Sequence, residues 1–316
     1  MKPALTFLGL VCVCSVALGG EERLPYAASD IVPPSTAYEQ TVREGAPDRP
    51  SATAAKRRVL VFSLRTGYDH LVIPHVNRVV QVVGEKSGAY DADVTSALEP
   101  LLPANLAKYD VLVLNNNCSV GPRRDLFLDE LETNPKYGGL SKDEKGVFAD
   151  TLERSLLGFV ANGRGLVVLH GGVVMQNSST PFTSMVGAAF DYHPPNQEVI
   201  LRSVDETHPL TRAFKDHNPF IHRDEPYVFK GPYVNLDFRP LLVMDTTKLK
   251  DASGRVDDDV RYVSWIRRHG EGRVFYCSPS HFPDTYLSPT MLRYLLDGIQ
   301  YAAGDLKCED SPIGRE

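Results

Sequence analysis

The chain has 316 residues, 42% apolar and 23% charged, which is enough for a substantial core in one ordinary globular domain. A net charge of −6 with scattered basic residues argues against a nucleic-acid surface, so no nucleic-acid partner is expected. Of five cysteines, Cys12 and Cys14 lie in the amino-terminal apolar run, and Cys118, Cys277 and Cys308 show no Cys-x-x-Cys spacing. Neither a disulfide framework nor a structural zinc knot is expected, although one disulfide involving Cys308 stays open.

Met1-Lys2 precedes an apolar run from Ala4 to Leu18, with small residues at Ala17 and Gly19. This predicts a cleavable signal peptide over residues 1–19 and an exported, periplasmic or secreted protein with no integral membrane span. Residues 20–55 are rich in Pro, Ala, Ser and Glu and have no periodic apolar face, as in a solvated linker or a strap laid on the surface. One domain is expected over 56–304, followed by a polar tail at 305–316.

Arg58 to Leu64 reads as a buried strand that empties into Arg65-Thr66-Gly67-Tyr68-Asp69-His70, with a helix predicted over 74–86. His70 therefore belongs to a post-strand loop, either in a site or as a helix N-terminal residue facing solvent. Asp91 to Thr95 is a second strand. Tyr109 to Leu114 is a third, ending in Asn115, Asn116 and Asn117, whose amides suit a polyhydroxylated ligand or the stabilisation of turns. Ser141 and Glu144 form a capping box opening a helix whose apolar face carries Val147, Phe148, Leu152, Leu156, Phe159 and Val160. Gly163 and Gly165 stop it, and Leu166 to Leu169 is apolar throughout, like a strand covered on both faces.

That strand closes on His170-Gly171-Gly172. The carboxyl edge of an open α/β sheet is where ligands bind, and the glycines permit a sharp turn and a close approach, so His170 is the first candidate site residue. The alternative is a core histidine satisfied by a backbone carbonyl. The βαβαβ rhythm predicts an α/β fold with a doubly wound, mostly parallel sheet in a single domain. Further strands are expected at Val199 to Leu201 and Leu241 to Met244. Tyr262 to Ile266 should pair with Val274 to Cys277 through a glycine turn, and a last helix should run from Ser288-Pro289 to Gly304.

Several of these stretches together resemble the ThuA-like (trehalose utilisation) family. They are Gly165-Leu166-Val167-Val168-Leu169-His170; Met185-Val186-Gly187-Ala188-Ala189-Phe190 with His193-Pro194; Thr207-His208-Pro209-Leu210-Thr211; Asp224-Glu225-Pro226-Tyr227; and Gly270-Glu271-Gly272-Arg273-Val274-Phe275-Tyr276 followed by His281. The resemblance spans about Arg58 to Ala303 and implies a flavodoxin-like fold that is a variant of the class I glutamine amidotransferase fold. Where such amidotransferases carry a cysteine in a strained elbow, this chain has His170, so amidotransferase chemistry has no nucleophile. Ser280 stands where the family usually has a glycine before the histidine.

The resemblance adds Glu225 and His281 to His170 and His70 as candidate catalytic residues. Three imidazoles and a carboxylate suit a divalent transition metal, and suit metal-free acid/base work equally. His70, His170, His281 and Glu225 are the candidate metal ligands, and no nucleotide cofactor is expected. Asn115, Asn116, Asn117, Tyr227 and Trp265 are the candidate contacts to a small carbohydrate. His193 and His208, each before a proline, are assigned to structure, and His217, His222 and His269 to the surface. The family's association with disaccharides oxidised to 3-keto forms implies elimination or hydrolysis of a keto-glycoside. A non-catalytic sugar-binding or sensing domain is the alternative.

Overall fold

Strands without polar alternation must be covered on both faces, and a period of two then sends neighbouring side chains into different cores. Val59 and Val61 enter one core and Leu60 and Phe62 the other. Val111 and Val113 separate from Leu112 and Leu114 in the same way, as do Val167 and Leu169 from Leu166 and Val168. The computed structural model describes residues 32–256 and 260–314, and the leader expected at 1–19 lies outside the described residues.

In chain order the elements are α1 (Thr36–Gly45), β1 (Arg57–Phe62), α2 (Ile73–Ser87), β2 (Tyr90–Thr95), α3 (Pro103–Leu106), β3 (Val111–Asn115), α4 (Leu126–Thr133), α5 (Lys142–Ala161), β4 (Gly165–Leu169), α6 (Thr180–Val186), β5 (Ala189–Tyr192), β6 (Gln197–Ser203), β7 (Phe220–Asp224), β8 (Val228–Lys230), β9 (Arg239–Asp245), β10 (Val260–His269), β11 (Gly272–Cys277) and α7 (Pro289–Ala302). The main sheet runs β2-β1-β3-β4-β11-β10-β9-β6-β7. Its first five strands are parallel, and the remainder extends it by antiparallel pairing. β5 and β8 pair separately. Residues of α1, α2 and α7 fill the core on one face and residues of α3 to α6 the core on the other, which is the doubly wound arrangement the sequence predicts. Among the described residues no helix is long and apolar enough to cross a membrane.

Local signals explain most element boundaries. The Ser141–Glu144 capping box forms at the start of α5, and Ser288 precedes α7 with Pro289 at its first position. Val147 departs from the expected apolar face and is 67% exposed. Five residues ahead of Leu152 it lies about 140° round the helix, while Leu152, Leu156 and Val160 continue the buried stripe at intervals of four. The described part of the expected linker also holds a helix, α1. Its cap Ser35 accepts from the Tyr38 backbone N–H, its Val42 is buried in the core, and the Tyr38 hydroxyl donates to the Pro283 carbonyl at 2.8 Å.

The chain after α1 is fastened to α7. Ser51 Oγ donates to Asp297 Oδ1 at 2.6 Å, and the Ser51 backbone N–H donates to Gln300 Oε1 at 2.8 Å. Burial pushes the Asp297 carboxyl up to about 6, against the opposing pull of Ser51 and Arg293. Its folded form holds a proton at pH values where the unfolded chain has lost one, so this group lowers stability as pH rises from about 4 to about 6. The loss above that window is on the order of 3 kcal/mol. Asp297→Asn keeps an acceptor for Ser51 and removes the charge. Thermal melts should show the variant gaining stability over wild type as pH rises from 4 to 7, whereas parallel melting curves across that range would refute the assignment.

Candidate metal centre

Three loops of the parallel half and one connection of the antiparallel half converge at the carboxyl edge of the sheet. Parallel pairing of β4 with β3 and β11 places Leu169 beside both Asn115 and Cys277. One residue further on, His170 lies next to Ser278, and its Nδ1 meets the Ser278 carbonyl at 2.8 Å. His170 has φ of +42°, a left-handed conformation that strains a residue with a side chain. A Cβ on Gly171 would come within 2.7 Å of Cys118 Sγ and 3.0 Å of His70 Cε1, so the elbow requires glycine there. The histidine thus occupies the strained strand-end turn.

The Leu64 to His70 loop is pinned beneath it. Thr66 and Gly67 donate their backbone N–H groups to the Cys118 carbonyl at 3.0 and 2.9 Å. Asn117 Nδ2 donates to the Phe62 and Leu64 carbonyls, and Asn115 Nδ2 to the Ile73 carbonyl and to Asn77. Asn116 Nδ2 donates to Asn115 Oδ1. All three amides are fully buried and none lines the cavity described below, so they hold loops together and do not face a ligand. Trp265 is also fully buried, with its Nε1 donating to the Val186 carbonyl in the core. The proposed carbohydrate contacts at these four positions are corrected on that ground.

His70, His170, Glu225 and His281 are brought together as the sequence suggested. One potential ligand atom from each lies within 4.8 Å of all the others, and all four residues are buried. Glu225 Oε2 is 3.2 Å from His170 Nε2, 3.3 Å from His281 Nδ1 and 3.9 Å from His70 Nε2. His170 Nε2 is also 3.2 Å from His281 Nδ1. Burial alone would raise the Glu225 carboxyl, but hydrogen bonds from His170 and His281 and the nearby His70 outweigh it and hold it far below the usual carboxylate range. Burial lowers His70 to about 3, with His170 and His281 acting in the same direction, so His70 is neutral at physiological pH.

The donor chemistry fits a cation. A carbonyl only accepts, so Nδ1 of His170 carries a proton and Nε2 is the ring nitrogen that faces the Glu225 carboxylate. Both nitrogens of His70 are buried without a hydrogen-bond partner. Converging potential ligand atoms and an orphaned buried imidazole are what a set of ligands looks like around a divalent ion, and three nitrogens with one carboxylate oxygen are donors that suit zinc and similar transition ions.

Beside the cluster is a cavity of about 340 Å³, lined by Tyr68, His70, Phe190, His193, Asn196, Glu225 and Tyr227 among others. Tyr227 lines the cavity, and its ring lies 4.0 Å from that of His170. His193, assigned to structure from its proline, is a further site residue: its Nδ1 is 3.2 Å from Glu225 Oε1 and its side chain is 33% exposed. His222, expected at the surface, instead meets Asp224 Oδ2 through Nε2 at 2.9 Å with 11% of its side chain exposed. His208 is buried, as a structural histidine should be, and meets the Glu309 carbonyl. Ser280, in the place of the family's glycine, bonds the Tyr286 hydroxyl at 2.7 Å. Cys277 and Cys308 are free thiols, and Cys118 is buried. A larger cavity, about 440 Å³ between α3 and α5, involves none of the cluster residues.

The solved structures similar to this chain include two that share its fold. A ThuA-like protein from Bacteroides uniformis superposes with a TM-score of 0.55 at 18% identity, covering 80% of this chain and 94% of its own. One from Parabacteroides merdae gives 0.52 at 17% identity, covering 80% and 92%. No curated protein sequence matches the chain significantly. Residues 58–302 match the ThuA family, described as trehalose utilisation, so the chain belongs to that family and through it to carbohydrate metabolism.

Proposed function

We propose that this is an exported protein of carbohydrate catabolism whose His70, His170, His281 and Glu225 bind a divalent transition metal and which processes a glycoside, preferentially in 3-keto form, by elimination or hydrolysis. The observation that carries the metal reading is the convergence of four buried ligand atoms within 4.8 Å. The family's description as trehalose utilisation supports a sugar substrate, and the apolar run before Gly19 supports export.

A bound metal would act as the Lewis acid that stabilises negative charge developing on a substrate oxygen. The protein's own groups divide the remaining work. His193 Nδ1 faces two acceptors, Glu225 Oε1 at 3.2 Å and the Pro194 carbonyl at 3.1 Å, so Nδ1 carries a proton, and in the neutral ring Nε2 keeps a lone pair. A half-exposed imidazole in that tautomer, on the cavity wall, can take the proton from a carbon next to a keto group and return it to the leaving oxygen. Tyr227, Phe190 and Tyr68 give the cavity apolar faces against which a sugar ring can pack. The sensing alternative drew on Asn115 to Asn117 and Trp265, which lie in the core.

Elemental mass spectrometry of untagged protein should find close to one metal ion per chain. His170→Ala should remain folded and lose it, while metal-free wild type would end the metal reading. With 3-keto-disaccharides as substrates, the wild type should release free sugar. His193→Ala should bind metal normally and turn over roughly 10²- to 10⁴-fold more slowly, and unimpaired turnover by that variant would remove His193 from the chemistry.

A further inference from the structure

We propose that Asp224 is the positioning residue of this centre, holding Glu225 and His281 in register through their backbones, with His222 as its anchor. The proposal rests on the metal reading above. Asp224 is 3% exposed and is not one of the converging ligands. Its Oδ1 accepts the Glu225 backbone N–H at 2.9 Å and the His281 backbone N–H at 3.2 Å, joining two ligand-bearing segments from opposite halves of the sheet. Its Oδ2 accepts from His222 Nε2 at 2.9 Å.

With His222 Nε2 as the donor, an ionised carboxylate serves all three N–H groups, because it is acceptor-only at both oxygens. An asparagine of the same shape would turn an N–H₂ towards either His222 or the two backbone donors. Burying a second carboxylate next to Glu225 is unfavourable unless its hydrogen bonds are all made. Here they are made to the peptide groups that place the Glu225 and His281 side chains. Groups that orient metal ligands in this way typically change metal affinity 10- to 100-fold when removed.

The test uses cobalt(II) as the probe. Apoprotein prepared with chelator is titrated with cobalt(II), following its visible absorption, with affinities from competition against a chromophoric chelator and thermal midpoints for each variant. Wild type should bind one ion per chain. Asp224→Asn should bind roughly 10- to 100-fold more weakly with an altered band, and His222→Phe should shift affinity in the same direction by a smaller factor. Val42→Ala, a core truncation on α1, supplies the comparison for a loss of stability alone and should keep the wild-type affinity and band. Wild-type affinity and spectrum in Asp224→Asn would overturn the proposal while leaving the metal reading intact. No cobalt binding by wild type would overturn both. If Asp224→Asn does not fold, His222→Phe decides, and unchanged affinity there overturns the proposal.

Discussion

The hydrogen bond between His170 Nδ1 and the Ser278 carbonyl sets the chemistry of the whole centre, because it fixes which ring nitrogen carries the proton. It follows from sheet register: Cys277 pairs with Leu169, so the residues just beyond the two strand ends meet. Nε2 then faces Glu225 and His281, and the remaining imidazoles are arranged around the same carboxylate oxygen. The strained turn at His170 and the close approach of Gly171 to Cys118 and His70 are the conformational consequences of bringing that ring into place.

The two halves of the sheet have different tasks. The parallel half delivers His70 after β1, His170 after β4 and His281 after β11, all at its carboxyl edge, as doubly wound sheets do. The connections between the antiparallel extension and the separate β5–β8 pair supply what that edge lacks: Glu225 between β7 and β8, and His193 between β5 and β6. The strand-end elbow that could hold a nucleophile instead holds His170, and the negative charge beside it comes from Glu225. Family membership places the chain in carbohydrate metabolism.

The sequence made the parallel core readable, because strands buried on both faces leave uninterrupted apolar runs and their helices carry caps such as Ser141 with Glu144. It also marked His170 and His70 by their positions after strands. Glu225 and His281 were legible only through motifs shared with a family, since their positions depend on pairing between distant segments. The three asparagines were misleading for a physical reason: an amide at a strand end serves a sugar and a loop backbone equally well, and Phe62, Leu64 and Ile73 present carbonyls that need donors. Trp265 was hidden in the same sense, since alternation along β10 does not reveal which face is fully covered. His193 was missed because the proline after it reads as a fixed structural turn, and His222 because it was read as a surface residue. A histidine two residues before an aspartate, His222 ahead of Asp224, was the available signal, since in an extended strand residues two apart share a face.

The most direct test of the account is a crystal structure of metal-loaded protein with anomalous data collected at the metal's absorption edge. The account predicts one strong peak about 2.0–2.2 Å from the ring nitrogens of His70, His170 and His281 and from a Glu225 oxygen. A peak elsewhere, or an empty cluster beside full density for the four side chains, would contradict it.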